Sequence, residues 1–343
     1  MFCCSCRTVR SFRLLSKGLF SKIGKLHAAW PHHGLIIGPY DPLVVTTRPG
    51  PESWVARALL AAAGLLFTIA IGGLLITGHP VVRFSSDEAA EPYPLWMPLT
   101  SSLIVLLLTR LVPVRLSAID PLADIGTERL TREVWVLVGA ALAFPALVVA
   151  AASTGIPRDA VYSPIKVLMF LAIPLLVFRV LRGGVPQEPK ARWTARLDRT
   201  RLLAPIVPVV AWIALARLGP LAPPAVSLAS LPDPVTIAVA SLITLLTAGV
   251  LEEVFYRGFL QTRLESLVGR WPAIATSSVL FAAMHIASHV QINTLAVDLA
   301  TIVAVQGTFG VMQGYLWSRY RNIWAPIAIH IAVNLIYLDM LIG

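Results

Sequence analysis

Three short stretches of this sequence carry ionisable or amide side chains inside almost wholly apolar surroundings. The first is Ala248-Gly249-Val250-Leu251-Glu252-Glu253-Val254-Phe255-Tyr256-Arg257, the second Phe281-Ala282-Ala283-Met284-His285, the third His330-Ile331-Ala332-Val333-Asn334. An ionisable group in an apolar helix costs at least a few kcal/mol, and it usually marks a pathway or a site. Neighbouring residues on a helix point about 100° apart, so Glu252 and Glu253 are not expected to aim at one point. Glu253 and Arg257 are four apart with the acid on the N-terminal side, the better order for a helical ion pair, and they are expected to neutralise each other. Glu252 is then left with no local cation. A carboxylate held out of water in that state meets the condition for a general base near neutral pH.

In the second stretch Phe281 and His285 share a face, so the ring can wall one side of the imidazole. His289 and Asn293 extend that stripe toward the helix end. The pair His285 and His289 has a spacing that can bind metal but recurs by chance, and His289 is expected at the membrane interface. In the third stretch His330 and Asn334 again share a face, and Pro326 one turn earlier can bend the helix and open room. An amide beside an imidazole can donate hydrogen bonds to a developing oxyanion, which in a water-poor site contributes several kcal/mol. Each signal alone is weak: a lone intramembrane histidine is more often a helix–helix hydrogen-bonding residue. Three stations in three helices within 83 residues, supplying a base, imidazoles and an oxyanion donor, are a much less accidental set. Asp298, four residues into the next apolar run, reads as a pore-edge or packing residue, and Arg110 as a side chain reaching the interface.

The elements that must position these groups are membrane helices. Of 343 residues, 57% are hydrophobic and 13% charged, with mean hydropathy +0.76, against about 25% charged in a soluble domain. Roughly 20 apolar residues span a bilayer. That ruler places spans near 54–77, 95–113, 134–152, 163–181, 202–219, 235–260, 272–289, 294–317 and 322–341. The expected fold is all-α, a polytopic membrane bundle of 8 or 9 transmembrane helices, because prolines interrupt the fourth and fifth spans. The net charge of +10 sits beside these spans, in Arg7 to Lys25 and in Arg179 to Arg201. Membrane orientation and anionic headgroups explain it better than nucleic acid, which is not expected as a partner. With the N-terminus cytoplasmic, the loop 78–94 is outside and acidic. Loop 182–201, Arg263, Arg270, Arg319 and Arg321 then fall inside, as the positive-inside rule asks, while loop 110–133 balances four arginines with four acids.

Cys3, Cys4 and Cys6 are too close together to build a disulfide framework and lie far from the polar stations. Residues 1–53 read as a basic cytoplasmic or interfacial segment without a clean secretory signal, 54–234 as ordinary spans, and 235–343 as the catalytic transmembrane domain.

Glu252-Glu253-x-x-x-Arg257, Phe281-x-x-x-His285 and His330-x-x-x-Asn334, in this order and each in an apolar helix, resemble the three motifs of the CPBP family. This is the CAAX-protease, bacteriocin-processing and ABI group, with prenyl-protein endoproteases of the Rce1 type. The resemblance covers about residues 235–341. It implies a helical membrane domain that cleaves peptide bonds of membrane-associated or lipidated protein substrates, with the bilayer as the other partner. By motif position, Glu252 activates the attacking water with His285 assisting, His330 and Asn334 stabilise the oxyanion, and Glu253 with Arg257 holds the helix. The family is commonly called metalloproteases, and Glu252, His285 and His330 are the residues that could supply three Zn²⁺ ligands beside a water. A metal-free glutamate mechanism is the competing account, and no HExxH pair is present. Two other functions fit parts of the pattern. One is a proton- or ion-coupled transporter using Glu252, His285, Asp298 and His330 as a relay, against which stands the lack of an internal repeat. The other is a non-proteolytic family member acting in bacteriocin immunity.

Overall fold

The computed structural model describes residues 54–83, 91–181, 198–222, 233–289 and 293–334. The expectations for the leader 1–53 with its cysteines, for Arg182, Lys190, Arg192 and Arg196, and for the ninth span beyond Asn334 lie outside them. Nine apolar helices occupy the described residues. They are α1 (Trp54–Ile76), α2 (Trp96–Leu111), α3 (Thr127–Ser153), α4 (Arg158–Leu181), α5 (Arg199–Ala216), α6 (Val235–Val268), α7 (Arg270–His289), α8 (Leu295–Tyr320) and α9 (Trp324–Asn334). Seven are long and apolar enough to cross a membrane, while α2 and α9 are shorter. The expected all-α membrane fold is present, and the protein is an integral membrane protein. A two-residue antiparallel ladder, β1 (Val81–Val82) with β2 (Tyr93–Pro94), joins α1 to α2.

Several helices begin where a side chain can accept the backbone N–H groups that a first turn leaves unpaired. Asp233 accepts from Val235 and Thr236 ahead of a proline at the first helical position, Asp198 from Arg201, and Thr294 from Val297. The turns between the last helices are tight. Gly269, with φ +84°, is the single residue between α6 and α7, and Arg321, with φ 53°, ends α8. At Arg321 the left-handed conformation stops the helix so that α9 can return beside it.

Helix α6 differs most from the expectation. It runs 34 residues, well past the expected end at 260, and two π-helical stretches, Leu245–Val250 and Val254–Gln261, flank the short turn Leu251–Glu253. Such widened turns often occur at functional sites. Here they leave Glu252 and Glu253 on the only regular turn between them. Gly249, one turn earlier, lets α9 come close: a Cβ there would stand 2.7 Å from Ile331 Cγ1. Small residues allow this kind of approach between membrane helices.

The largest apolar core lies between α3, α4, α6 and α7. It contains Phe144, Phe170, Phe255, Tyr256 and Phe281, with Phe170 stacked on Phe255 at 4.2 Å. This core brings α4 against the middle of α6.

Candidate active site

The first and third polar stations meet where α9 crosses α6. Glu252, Glu253, Arg257 and His330 are all buried. The expected pair is present, with Arg257 Nε 3.2 Å from Glu253 Oε2. Arg257 also lies 4.5 Å over the Phe281 ring and donates from Nη2 to the Gly310 carbonyl at 3.4 Å. Glu253 has a second partner: His330 Nδ1 donates to its other oxygen, Oε1, at 2.6 Å.

Two expectations about Glu252 need correction. The two glutamates diverge from the helix as adjacent residues must, yet both reach the same imidazole from different sides. His330 Nε2 stands 3.7 Å from Glu252 Oε2 while Nδ1 is held by Glu253. Glu252 is also not without a cation. Lys166 Nζ donates to Glu252 Oε1 at 2.6 Å, and both side chains are buried. The ammonium sits 4.5 Å over the Tyr162 ring and 5.8 Å from that of Phe144. Lys166 comes from α4, 86 residues away in the chain, so no local spacing on α6 could reveal it. One sequence signal was available: a lysine in the apolar run Pro164-Ile165-Lys166-Val167-Leu168 obeys the same rule that singled out Glu252.

Glu252 Oε2 is the carboxylate oxygen left over. It is buried and receives no hydrogen bond among the described residues. Asn334 Nδ2, one turn beyond His330 on α9, is buried and equally unpartnered. A buried polar atom without a partner costs about 1–3 kcal/mol and calls for an explanation. Here an unpaired acceptor and an unpaired donor occur beside the same imidazole-bearing turn.

His285 reaches this centre through an aromatic ring. Phe281 stands edge-on to His285 at 5.0 Å and to His330 at 5.9 Å, and Phe309 also stands edge-on to His330 at 5.5 Å. His285 Nδ1 lies 2.9 Å from the Phe281 carbonyl. Since a carbonyl only accepts, Nδ1 carries the hydrogen, and Nε2 is left with its lone pair.

The remaining candidates have further partners of their own. Ser288 Oγ is 2.8 Å from His289 Nδ1, and the His289 ring is 5.4 Å from that of His285. Asn293 does not continue the histidine stripe: its backbone N–H and Nδ2 donate to Asp298 Oδ1 at 2.9 and 3.1 Å, tying the bend before α8 to its first turn.

The three-ligand zinc set does not fit this arrangement. Among the described residues no three His, Cys, Asp or Glu side chains come together to hold a metal ion. The reason is chemical as well as geometric. A lysine ammonium holds Glu252 Oε1, where a dication would meet like charge at short range.

Comparison with known proteins bears on the same residues. Residues 234–336, under a third of the chain, match the family described as type II CAAX prenyl endopeptidase Rce1-like. No curated protein and no solved structure matches the chain.

Proposed function

We propose, from the likeness of residues 234–336 to the Rce1-like type II CAAX prenyl endopeptidases, that this integral membrane protein is an intramembrane endopeptidase. Its substrates are membrane-associated or lipidated proteins, of which a prenylated C-terminal tail is the kind the family description names. The observation that carries the reading is the acceptor Glu252 Oε2, buried, without a hydrogen bond among the described residues and 3.7 Å from His330 Nε2.

In this reading Glu252 Oε2 takes the proton of the attacking water, and Lys166 balances the carboxylate and fixes its direction by holding Oε1. His285 assists through Nε2, the ring nitrogen that its bond to the Phe281 carbonyl leaves as an acceptor. Asn334 Nδ2 and His330 Nε2 stabilise the tetrahedral oxyanion. His330 can donate there only when both its nitrogens carry hydrogen, because its Nδ1–H is engaged by Glu253. Glu253 and Arg257 hold that imidazole and the helix in place without touching the reacting atoms. No step passes through a metal ion.

The test is proteolysis in the native setting. Membranes carrying the wild-type chain are compared by proteomics with membranes carrying Glu252→Ala or His285→Ala. Substrates are expected to accumulate uncut in both variants. Continued cleavage in either overturns the catalytic assignment.

A further inference from the structure

A polar cavity of about 800 Å³ opens where the apolar helices stop. Its lining includes Arg110, Arg115, Arg270, Arg319, Thr200 and Tyr315, and no acidic side chain among the described residues. These side chains sit at helix ends: Arg110 and Arg319 in the last turns of α2 and α8, Arg270 and Thr200 in the first turns of α7 and α5. Trp271, half exposed, stacks on Tyr315 at 5.2 Å, an aromatic pair of the kind that marks the headgroup level.

Arg319 separates this cavity from an ordinary basic membrane face. Five arginines are buried among the described residues, and four of them have a carboxylate within 4 Å: Arg201 has Asp198, Arg257 has Glu253, Arg263 has Glu133, and Arg321 has Glu265. Arg319, only 8% exposed, has none among the described residues. Its Nη2 donates to the carbonyls of Pro113 and Val114, which fixes the guanidinium plane, while Nε is buried with no hydrogen-bond partner among the described residues. A buried, oriented, unpaired guanidinium facing a cavity rimmed by three more arginines lacks one thing, an oxyanion. The level of the cavity decides its source, because basic pockets at helix ends on a membrane face are suited to anionic lipid headgroups.

We propose that this cavity binds the phosphate of an anionic phospholipid headgroup, with Arg319 as the buried anchor and Arg110, Arg115 and Arg270 around the rim. The site is separate from the Glu252 centre and does not depend on any reaction there.

The full chain in phosphatidylcholine nanodiscs tests this by titration with short-chain phosphatidylglycerol, read by thermal unfolding and by lipid retained in native mass spectrometry. Phosphatidylglycerol is expected to raise the melting temperature and to be retained in preference to phosphatidylcholine. Arg110→Gln combined with Arg270→Gln removes two rim cations and should weaken retention by about 10- to 30-fold. Arg319→Gln should weaken it at least as much. If Arg319→Gln fails to fold, the rim variant decides alone, since among the described residues Arg110 reaches only the Val114 carbonyl just beyond its own helix. Equal retention by wild type and rim variant, or equal retention of the two lipids, overturns the proposal. So does inorganic phosphate reproducing the whole stabilisation while no phosphatidylglycerol is retained.

Discussion

Two buried glutamates in this protein face opposite circumstances. Glu133 on α3 is fully enclosed, and each of its oxygens has a cation: Arg129 Nε reaches Oε1 at 2.9 Å and Arg263 Nε reaches Oε2 at 2.5 Å. Arg263 is itself satisfied, donating to the Phe259 carbonyl and lying 3.9 Å over the Phe178 ring. Glu252, about as deeply buried, has a hydrogen-bonded partner on one oxygen only among the described residues, the Lys166 ammonium. A buried charge stays tolerable when its lone pairs are all engaged, and a carboxylate closed on both sides is a joint between helices. One left half open in a water-poor centre has an acceptor to offer to something that enters. Under the proposed function, that difference separates a structural carboxylate from a reactive one where burial alone does not.

The largest expected effects come from breaking each ion pair. Glu133→Ala leaves Arg263 without its carboxylate and should lower unfolding free energy by about 3–5 kcal/mol. Turnover per folded molecule should stay within about twofold, since this variation is well inside the effect of removing a group that contacts the reacting atoms. Lys166→Met should cost a similar amount of stability by stranding Glu252, but here turnover falls as well. The double variant Lys166→Met with Glu252→Gln should regain most of the stability and none of the activity. Denaturation in detergent, paired with a cleavage assay normalised to folded protein, reads both quantities. Equal turnover losses in the Glu133 and Lys166 variants would erase the distinction drawn between the two sites.

A smaller effect is expected at the open side. Asn334→Ala removes an unpaired donor and should reduce the turnover rate about 100-fold, with little change in melting temperature. Glu253→Ala should behave the other way. It strands Arg257 and frees His330 Nδ1, so protein level falls more than the chemistry of the molecules that remain. A fully inactive Glu253→Ala protein at normal abundance would move that residue from the scaffold into the reaction.

These contrasts follow the boundary of what the sequence discloses. The helical membrane fold was legible because a run of apolar residues is a local property, as was the ion pair of Glu253 with Arg257, a matter of one helical turn. Three features were not. The π-helical stretches around Leu251–Glu253 pack against distant helices, the first on α9 and the second on α3, α7 and α8, and no spacing within α6 encodes those neighbours. The shared imidazole of His330 depends on the close crossing at Gly249. Lys166 lies 86 residues from its partner, and the inference that Glu252 stood alone considered only cations on its own helix. Charges in apolar runs can be found one at a time from the sequence, but which of them meet is decided by the bundle.

The least effect of all is expected from metal removal, and it bears on the same comparison. If Glu252 were a zinc ligand, its charge would be balanced by a dication, and Lys166 would be a competitor at Oε1. In the structure the ammonium already balances that carboxylate, much as Arg129 and Arg263 balance Glu133, and His330 Nδ1 is committed to Glu253. Purified enzyme treated with a strong chelator should therefore keep its cleavage rate within about twofold, whereas loss of a catalytic zinc ligand set removes several kcal/mol of transition-state stabilisation. Activity abolished by the chelator and restored by Zn²⁺ would show that Lys166 leaves Glu252 in the working enzyme. The two glutamates would then differ in the kind of cation they hold and no longer in how many of their oxygens are filled.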